Sequence, residues 1–319
     1  MKKIPASLRT ALGVGFGLWF GQILAAVAQE QAQFCSDPGS TMLWEVQGAQ
    51  LRERDISLFL FGSMHVGKPD FYPLPPPVEA SFREAEYVVF EVDPRSVTNP
   101  AVAQELARRS QLPADQTLEQ LLSPDTLKSL QDVIAQEGLA VDIVMRLKPW
   151  MISLLLADVQ SSSLGFDAAW GLESYFLAQM PQDAEVLELE GLRQQVDMLE
   201  SLDPDVFLSY SLREYQESAK QIEALVKAWR CADHAALESL LFDEEDSPDL
   251  SAEERKGLIE LNRRLFSERN RVMADGIIEL IETGKDDYFV VVGAGHLLGA
   301  DSVVELLRAE GFTVQPVRL

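Results

Sequence analysis

Tyr288-Phe289-Val290-Val291-Val292, Gly293-Ala294-Gly295-His296, a helical pattern from about Asp301 to Ala309, and Gly311-Phe312-Thr313-Val314 follow one another near the end of the 319 residues. The first five residues are apolar without alternation, as in a strand covered on both faces. Strand, helix and strand at this spacing read as a parallel crossover. That unit sets the expectation of an α/β fold with a mainly parallel central sheet, flanking helices and an inserted helical cap.

The same frame occurs once more, where Leu58-Phe59-Leu60-Phe61 runs directly into Gly62-Ser63-Met64-His65. Only three histidines and 19 glycines are present. Chance would put a Gly three places before a given His in about 6% of cases, and before two of three in about 1%. The repetition therefore points to a shared role. Histidines just past the carboxyl ends of buried strands lie where open α/β sheets collect ligands.

Working outward, Met42–Val46 pairs by expectation with Ile56–Phe61 as a hairpin feeding His65, and Tyr72–Pro77 reads as a rigid turn before a helix over Val78–Glu86. Tyr87–Asp93 reads as a strand delivering Glu91 and Asp93, and Ala184–Glu190 as a strand ending in Glu190. Between them, residues of about 99–180 form the helical insertion, in which Val141–Leu156 is kinked or restarted at Pro149. Further helices are expected over about 204–283. These include Pro204–Leu241 and Ser251–Thr283, the latter opened by a Ser251-x-x-Glu254 capping box. The acidic run Asp243–Asp249 reads as a solvated loop.

Met1–Ala28 combines Lys2, Lys3 and Arg9 with an apolar stretch and an Ala26-Val27-Ala28 exit, which reads as a secretory signal peptide cut after Ala28; an uncleaved anchor is the alternative. Residues 29–319 then form one domain, with no stable membrane span. The formal charge of −24 becomes more negative when three cations leave with the leader. Such a surface repels phosphate backbones, so nucleic acid is not an expected partner. Cys35 and Cys231 are the only cysteines. In an oxidising compartment they are candidates for one disulfide, and two buried thiols are the plainer alternative.

The spacing of Gly293, Gly295 and Gly299 is wrong for a dinucleotide loop, and no H-E-x-x-H, C-x-x-C, G-x-S-x-G or Walker motif is present. What remains is His65, Glu91, Glu190 and His296, each at a strand end. Imidazole and carboxylate together suit zinc, manganese or cobalt, and a second carboxylate could serve as general base. Glycine in each frame would let the backbone turn tightly or approach closely. Arg269 could stabilise an oxyanion or pair with a glutamate on its own helix. His234 lacks the glycine frame and reads as structural. The plain alternative for the whole set is hydrogen-bonded core histidines and surface glutamates.

Leu58–His65, Val89–Asp93, Leu147–Trp150, Leu189-Glu190 followed by Gln195, Glu268–Asn270 and Val292–His296, taken in this order, resemble the TraB/PrgY/GumN family, which includes the Tiki proteins. The resemblance implies a fold like that of the erythromycin-esterase and ChaN group and a metal-dependent hydrolase site acting on a peptide or protein. By that likeness His65 and His296 are metal ligands with Glu91, while Glu91, Glu190 and Arg269 are catalytic. Gly191 departs from the family's Leu-Glu-Thr after the second glutamate. Haem binding through a histidine, and metal-free esterase chemistry with a histidine base, are the other functions this likeness leaves open.

Overall fold

The computed structural model describes residues 35, 39–217, 219–243, 250–284 and 286–319. The leader and most of the acidic run lie outside these residues. Six strands form one sheet: β1 (Ser40–Gln47), β2 (Leu58–Ser63), β3 (Tyr87–Phe90), β4 (Glu185–Glu188), β5 (Tyr288–Gly293) and β6 (Thr313–Arg318), in the order β4-β3-β5-β2-β1-β6. β4, β3, β5 and β2 are mutually parallel, whereas β1 is antiparallel to both β2 and β6. The sheet is thus mixed, with a parallel centre.

Burial explains the order. Val88–Phe90 and Phe289–Val292 are fully covered, as unbroken apolar runs require. β4 exposes Glu185 and Glu188 at one edge, and β6 carries Pro316 at the other. Charge and proline both suit edge strands, because neither invites another strand to pair. The expected hairpin forms, with a short helix Ala49–Arg54 in its connection. β5 and β6 run in the same direction, but β2 and β1 stand between them. Both neighbouring positions of β5 are taken, so the last strand adds to β1.

Register places the carboxyl ends level. Ser63 pairs with Gly293, while Phe90 pairs with both Val291 and Glu188. Just beyond, the Glu190 N–H donates to the Glu91 carbonyl at 2.8 Å. All four parallel strands therefore deliver their next residues to one rim.

The core on the sheet centres on interlocked Phe61, Phe82, Phe176 and Phe289. Each such burial contributes about 1.5–3 kcal/mol before entropy is counted. The helix Glu268–Thr283 adds Met273, Ile277 and Ile281. Two smaller cores lie among the helices. One gathers Leu118, Leu130, Ile134, Ile152, Leu156 and Leu208, and the other Trp150, Val196, Phe207 and Leu258. The helix Pro149–Ser163 serves both, which is why its sequence reads as apolar nearly all round.

Three sequence expectations are refined. Phe166, Leu172 and Phe176 belong to the core on the sheet, so the cap ends near Ser163 and residues 164–178 return to the strands. The expected helix over 204–241 is instead Pro204–Glu217, Ala219–Arg230 and His234–Phe242; Ala232 has φ 44°, and the Asp233 carboxylate caps the last helix. Ser251 and Glu254 form the expected capping box, but residues Arg263–Ser267 adopt a π turn before helix Glu268–Thr283 begins. Cys35 and Cys231 are joined in a disulfide with Cα atoms 5.2 Å apart. His234 stacks on Trp44 and meets the Thr41 carbonyl, a structural role as expected.

Candidate functional site

Gly62 and Gly293 do not use left-handed backbone. They provide space. A Cβ on Gly62 would lie 3.2 Å from the Cα of Ala294, so the two strand exits pack directly on one another. A Cβ on Gly293 would lie 3.2 Å from Glu91 Oε1, 3.5 Å from His296 Cδ2 and 3.7 Å from His65 Nε2. Three side chains from three strands thus surround one glycine.

His296 lies in the single turn Ala294–Leu297 after β5 and is 5% exposed. Its Nδ1 is 2.6 Å from Asn270 Oδ1, while Asn270 Nδ2 donates to the Asp301 carbonyl at 2.8 Å. The second bond fixes the amide orientation, so Oδ1 must accept from the ring. Nδ1 then carries the proton and Nε2 a lone pair, 3.6 Å from Glu91 Oε1. Burial lowers the His296 pKa to about 4, although Glu91 pulls upward. The ring is neutral at neutral pH.

His65 is held differently. Its side chain is 71% exposed, with Nδ1 3.0 Å from Glu173 Oε1. The same oxygen accepts a 2.5 Å bond from the Ser63 hydroxyl. Glu173 raises the His65 pKa to about 9, and water around the open ring screens that attraction. Burial pushes the Glu173 carboxyl up, but His65 and Ser63 more than offset it and leave it below its ordinary value.

Behind these groups lies a buried charge cluster. Arg269 Nη2 donates to Glu91 Oε2 at 2.6 Å and to Glu190 Oε2 at 2.8 Å, and Arg269 Nε donates to both Glu190 oxygens. Gln195 Nε2 adds bonds to Glu190 and Glu91, while the Gly293 N–H donates to Glu91 Oε1 at 2.5 Å. Burial pushes the Glu91 carboxyl up, but His296, Arg269 and His65 together bring it down to about 2. Glu190 is 4% exposed. Glu91 is therefore ionised, with Oε2 held from behind and Oε1 facing the histidines.

The structure brings His65, Glu91 and His296 together in front and places Glu190 and Arg269 behind Glu91. Asp93 is turned aside, chelated by Arg95. The π turn matters here, since Arg269 Nη1 also donates to the Leu265 carbonyl and the Phe266 ring lies 5.4 Å from that of His296. Such turns recur where a helix must re-aim its side chains at a functional site. Sequence reasoning left Asn270 and Gln195 without roles, and it missed Glu173 and Ser63 as partners. Asn270 was visible beside Arg269, but Glu173 is one acid among 51 with no motif around it.

A bound ion would meet a set that fits in part. Two imidazoles with anchored Nδ1 atoms and an ionised carboxylate are the donors that zinc, manganese or cobalt take. Among the described residues, however, no three His, Cys, Asp or Glu side chains already form a group that could hold an ion. A cavity of about 910 Å³ lies elsewhere, between Tyr72–Val78 and the Ala219–Arg230 helix, and contains none of these residues. The convergence of strand ends is the better guide to chemistry, because it gathers the charged and proton-bearing groups.

The parallel centre, paired Gly-x-x-His exits and glutamate–arginine cluster define an α/β protein with a histidine–carboxylate site at its strand ends. The chain belongs to the TraB/PrgY/gumN family, whose profile matches residues 42–316. It is 26% identical over 254 residues to the uncharacterized protein YbaP of Escherichia coli, covering 78% of this chain and 87% of that one. It is 22% identical to Metalloprotease TIKI2 of Xenopus tropicalis over 95% of this chain and 65% of that protein. With human Metalloprotease TIKI1 it shares 24% identity over 86% of this chain and 62% of that protein. The matched region thus spans somewhat less than two thirds of these TIKI proteins. No solved structure matches.

Proposed function

We propose that this protein is an exported metal-dependent hydrolase acting on peptides or proteins. The observation carrying this reading is that His65 Nε2, Glu91 Oε1 and His296 surround the same point beside Gly293. The distant relatives named metalloproteases support it. When bound, zinc, manganese or cobalt supplies Lewis-acid polarisation and an acidified water. His65, His296 and Glu91 would hold it. Neutral His296 keeps its Nε2 lone pair because Asn270 takes the Nδ1 proton, and Arg269 keeps Glu91 ionised. Glu190 positions Arg269 rather than meeting a substrate, since Arg269 and Gln195 occupy its carboxylate. Arg269, shared between the Glu91 and Glu190 carboxylates, holds Glu91 in place rather than meeting charge on a substrate oxygen.

The disulfide supports export to an oxidising compartment, and no described helix is long and apolar enough to cross a membrane. The acidic surface argues against nucleic acid. A second reading, hydrolysis without metal, is favoured by one observation: the exposed His65 ring is oriented by Glu173, and because Glu173 raises its pKa the ring would serve as general base only as pH rises toward 9.

Calorimetric titration of the purified protein with zinc, manganese and cobalt tests the main reading, together with mass spectrometry of a random peptide pool. Binding of an ion that His296→Ala abolishes, with cleavage stopped by chelator, is expected. Chelator-resistant cleavage moves the function to the second reading. Absence of both binding and cleavage removes the hydrolase proposal.

A further inference from the structure

We infer that Glu173, braced by Ser63, is a positioning residue that fixes which nitrogen of His65 faces the site. This rests on the reading of His65 as a site residue but not on the identity of the reaction. Glu173 Oε1 accepts a hydrogen bond from the Ser63 hydroxyl at 2.5 Å and lies 3.0 Å from His65 Nδ1. An ionised carboxylate can only accept, so Nδ1 must be the protonated nitrogen. Nε2 is then left for the space beside Gly293, the nitrogen that the Gly293 geometry brings closest.

The surrounding backbone is built to hold this contact. The Leu172 N–H donates to the Met64 carbonyl at 3.0 Å, and Gly67 and Asp167 exchange two backbone bonds at 3.1 and 3.0 Å. A Cβ on Gly171 would lie 2.2 Å from the His65 carbonyl oxygen, and one on Gly67 would lie 2.0 Å from the Trp170 carbonyl oxygen, so both glycines permit the close approach of the two segments. The 164–178 segment thus leaves the cap to press its acid against the histidine loop. A ring as exposed as that of His65 would otherwise choose its rotamer and tautomer freely.

Glu173→Ala, Ser63→Ala and the conservative Glu173→Asp in the full chain test the assignment. The metal-free measurement is the ¹⁵N spectrum of the His65 ring at about pH 10, where the ring is neutral. Wild type should show Nδ1–H alone. Glu173→Ala should show a mixture or the reverse tautomer, Glu173→Asp should retain part of the Nδ1–H form, and His296 signals should not move. An unchanged His65 tautomer in Glu173→Ala overturns the inference whether or not metal binds. With zinc alone as probe, loss of an orienting partner should weaken affinity about 10–100-fold in Glu173→Ala and less in Ser63→Ala. Zinc affinity in Glu173→Ala within about twofold of wild type also overturns it. Failure of wild type to bind zinc, with the tautomer shift intact, counts against the metal reading and leaves Glu173 as the orienting group.

Discussion

The two Gly-x-x-His frames share a spacing and a sheet rim but hold their histidines in opposite environments. His65 is open to water and leans on a carboxylate; His296 is enclosed and leans on a neutral amide. One pKa is raised and the other lowered. The repeated motif therefore determines where each ring stands, while the packed helix determines its charge. One frame is suited to exchanging a proton with solvent and the other to presenting a fixed lone pair. Behind the enclosed frame lies the glutamate–arginine cluster, while Ser63 and Glu173 hold the ring of the open frame.

The largest effect should come from breaking the support of the enclosed frame. Arg269 is the cation shared by Glu91 and Glu190, both buried. Arg269→Ala would leave two carboxylates enclosed with no cation between them. Removing one partner of a buried ion pair costs about 3–5 kcal/mol. Urea denaturation at neutral pH should show a loss of this size, and a loss under about 1 kcal/mol would mean water already reaches the cluster.

A smaller effect should appear as a pH slope that distinguishes the frames. The folded His296 pKa of about 4 lies below the ordinary 6.5. Between these values the unfolded chain binds more protons, so stability is complete above pH 6.5 and falls as pH drops toward 4. The contribution is on the order of 3 kcal/mol. Glu91, brought down to about 2 from 4.5, extends the loss to lower pH with the same sign. Urea midpoints from pH 7 to pH 4 should decline in wild type and decline less in His296→Gln. Equal slopes would show that His296 is hydrated in the folded protein.

The legible part of this site is the part delivered by strands. His65, Glu91 and His296 each follow an unbroken apolar run, and parallel register alone brings such ends to one rim. The orienting partners were not legible as partners, because they come from helices whose rotation is set by packing. Glu173 is 108 residues from His65, and its placement depends on Leu172 and Phe176 burying against the sheet. Asn270 reaches His296 only after the Arg263–Ser267 π turn sets the face of its helix. The position of β6 was hidden for a related reason, since local spacing specifies a crossover but not how many strands it passes. The disulfide was legible because two cysteines leave a single pairing.

The smallest effect should come from His65→Ala, and its smallness would sharpen the contrast. The ring buries little surface, and without it Glu173 keeps its bond to Ser63 and enough exposure to take water in place of the imidazole. Stability at pH 7 should change by no more than about 0.5 kcal/mol, the range of an ordinary surface substitution. The sign with pH is opposite to that of His296. A folded pKa raised to about 9 gives stability that is complete below 6.5 and is lost as pH rises toward 9. Solvent screening holds this to a fraction of a kcal/mol. Urea midpoints between pH 6 and pH 10 should therefore fall slightly in wild type and stay flatter in His65→Ala, while any peptide cleavage is lost. A loss above about 2 kcal/mol at pH 7 would place His65 in an enclosed setting like that of His296, and the division of labour between the two frames would not stand.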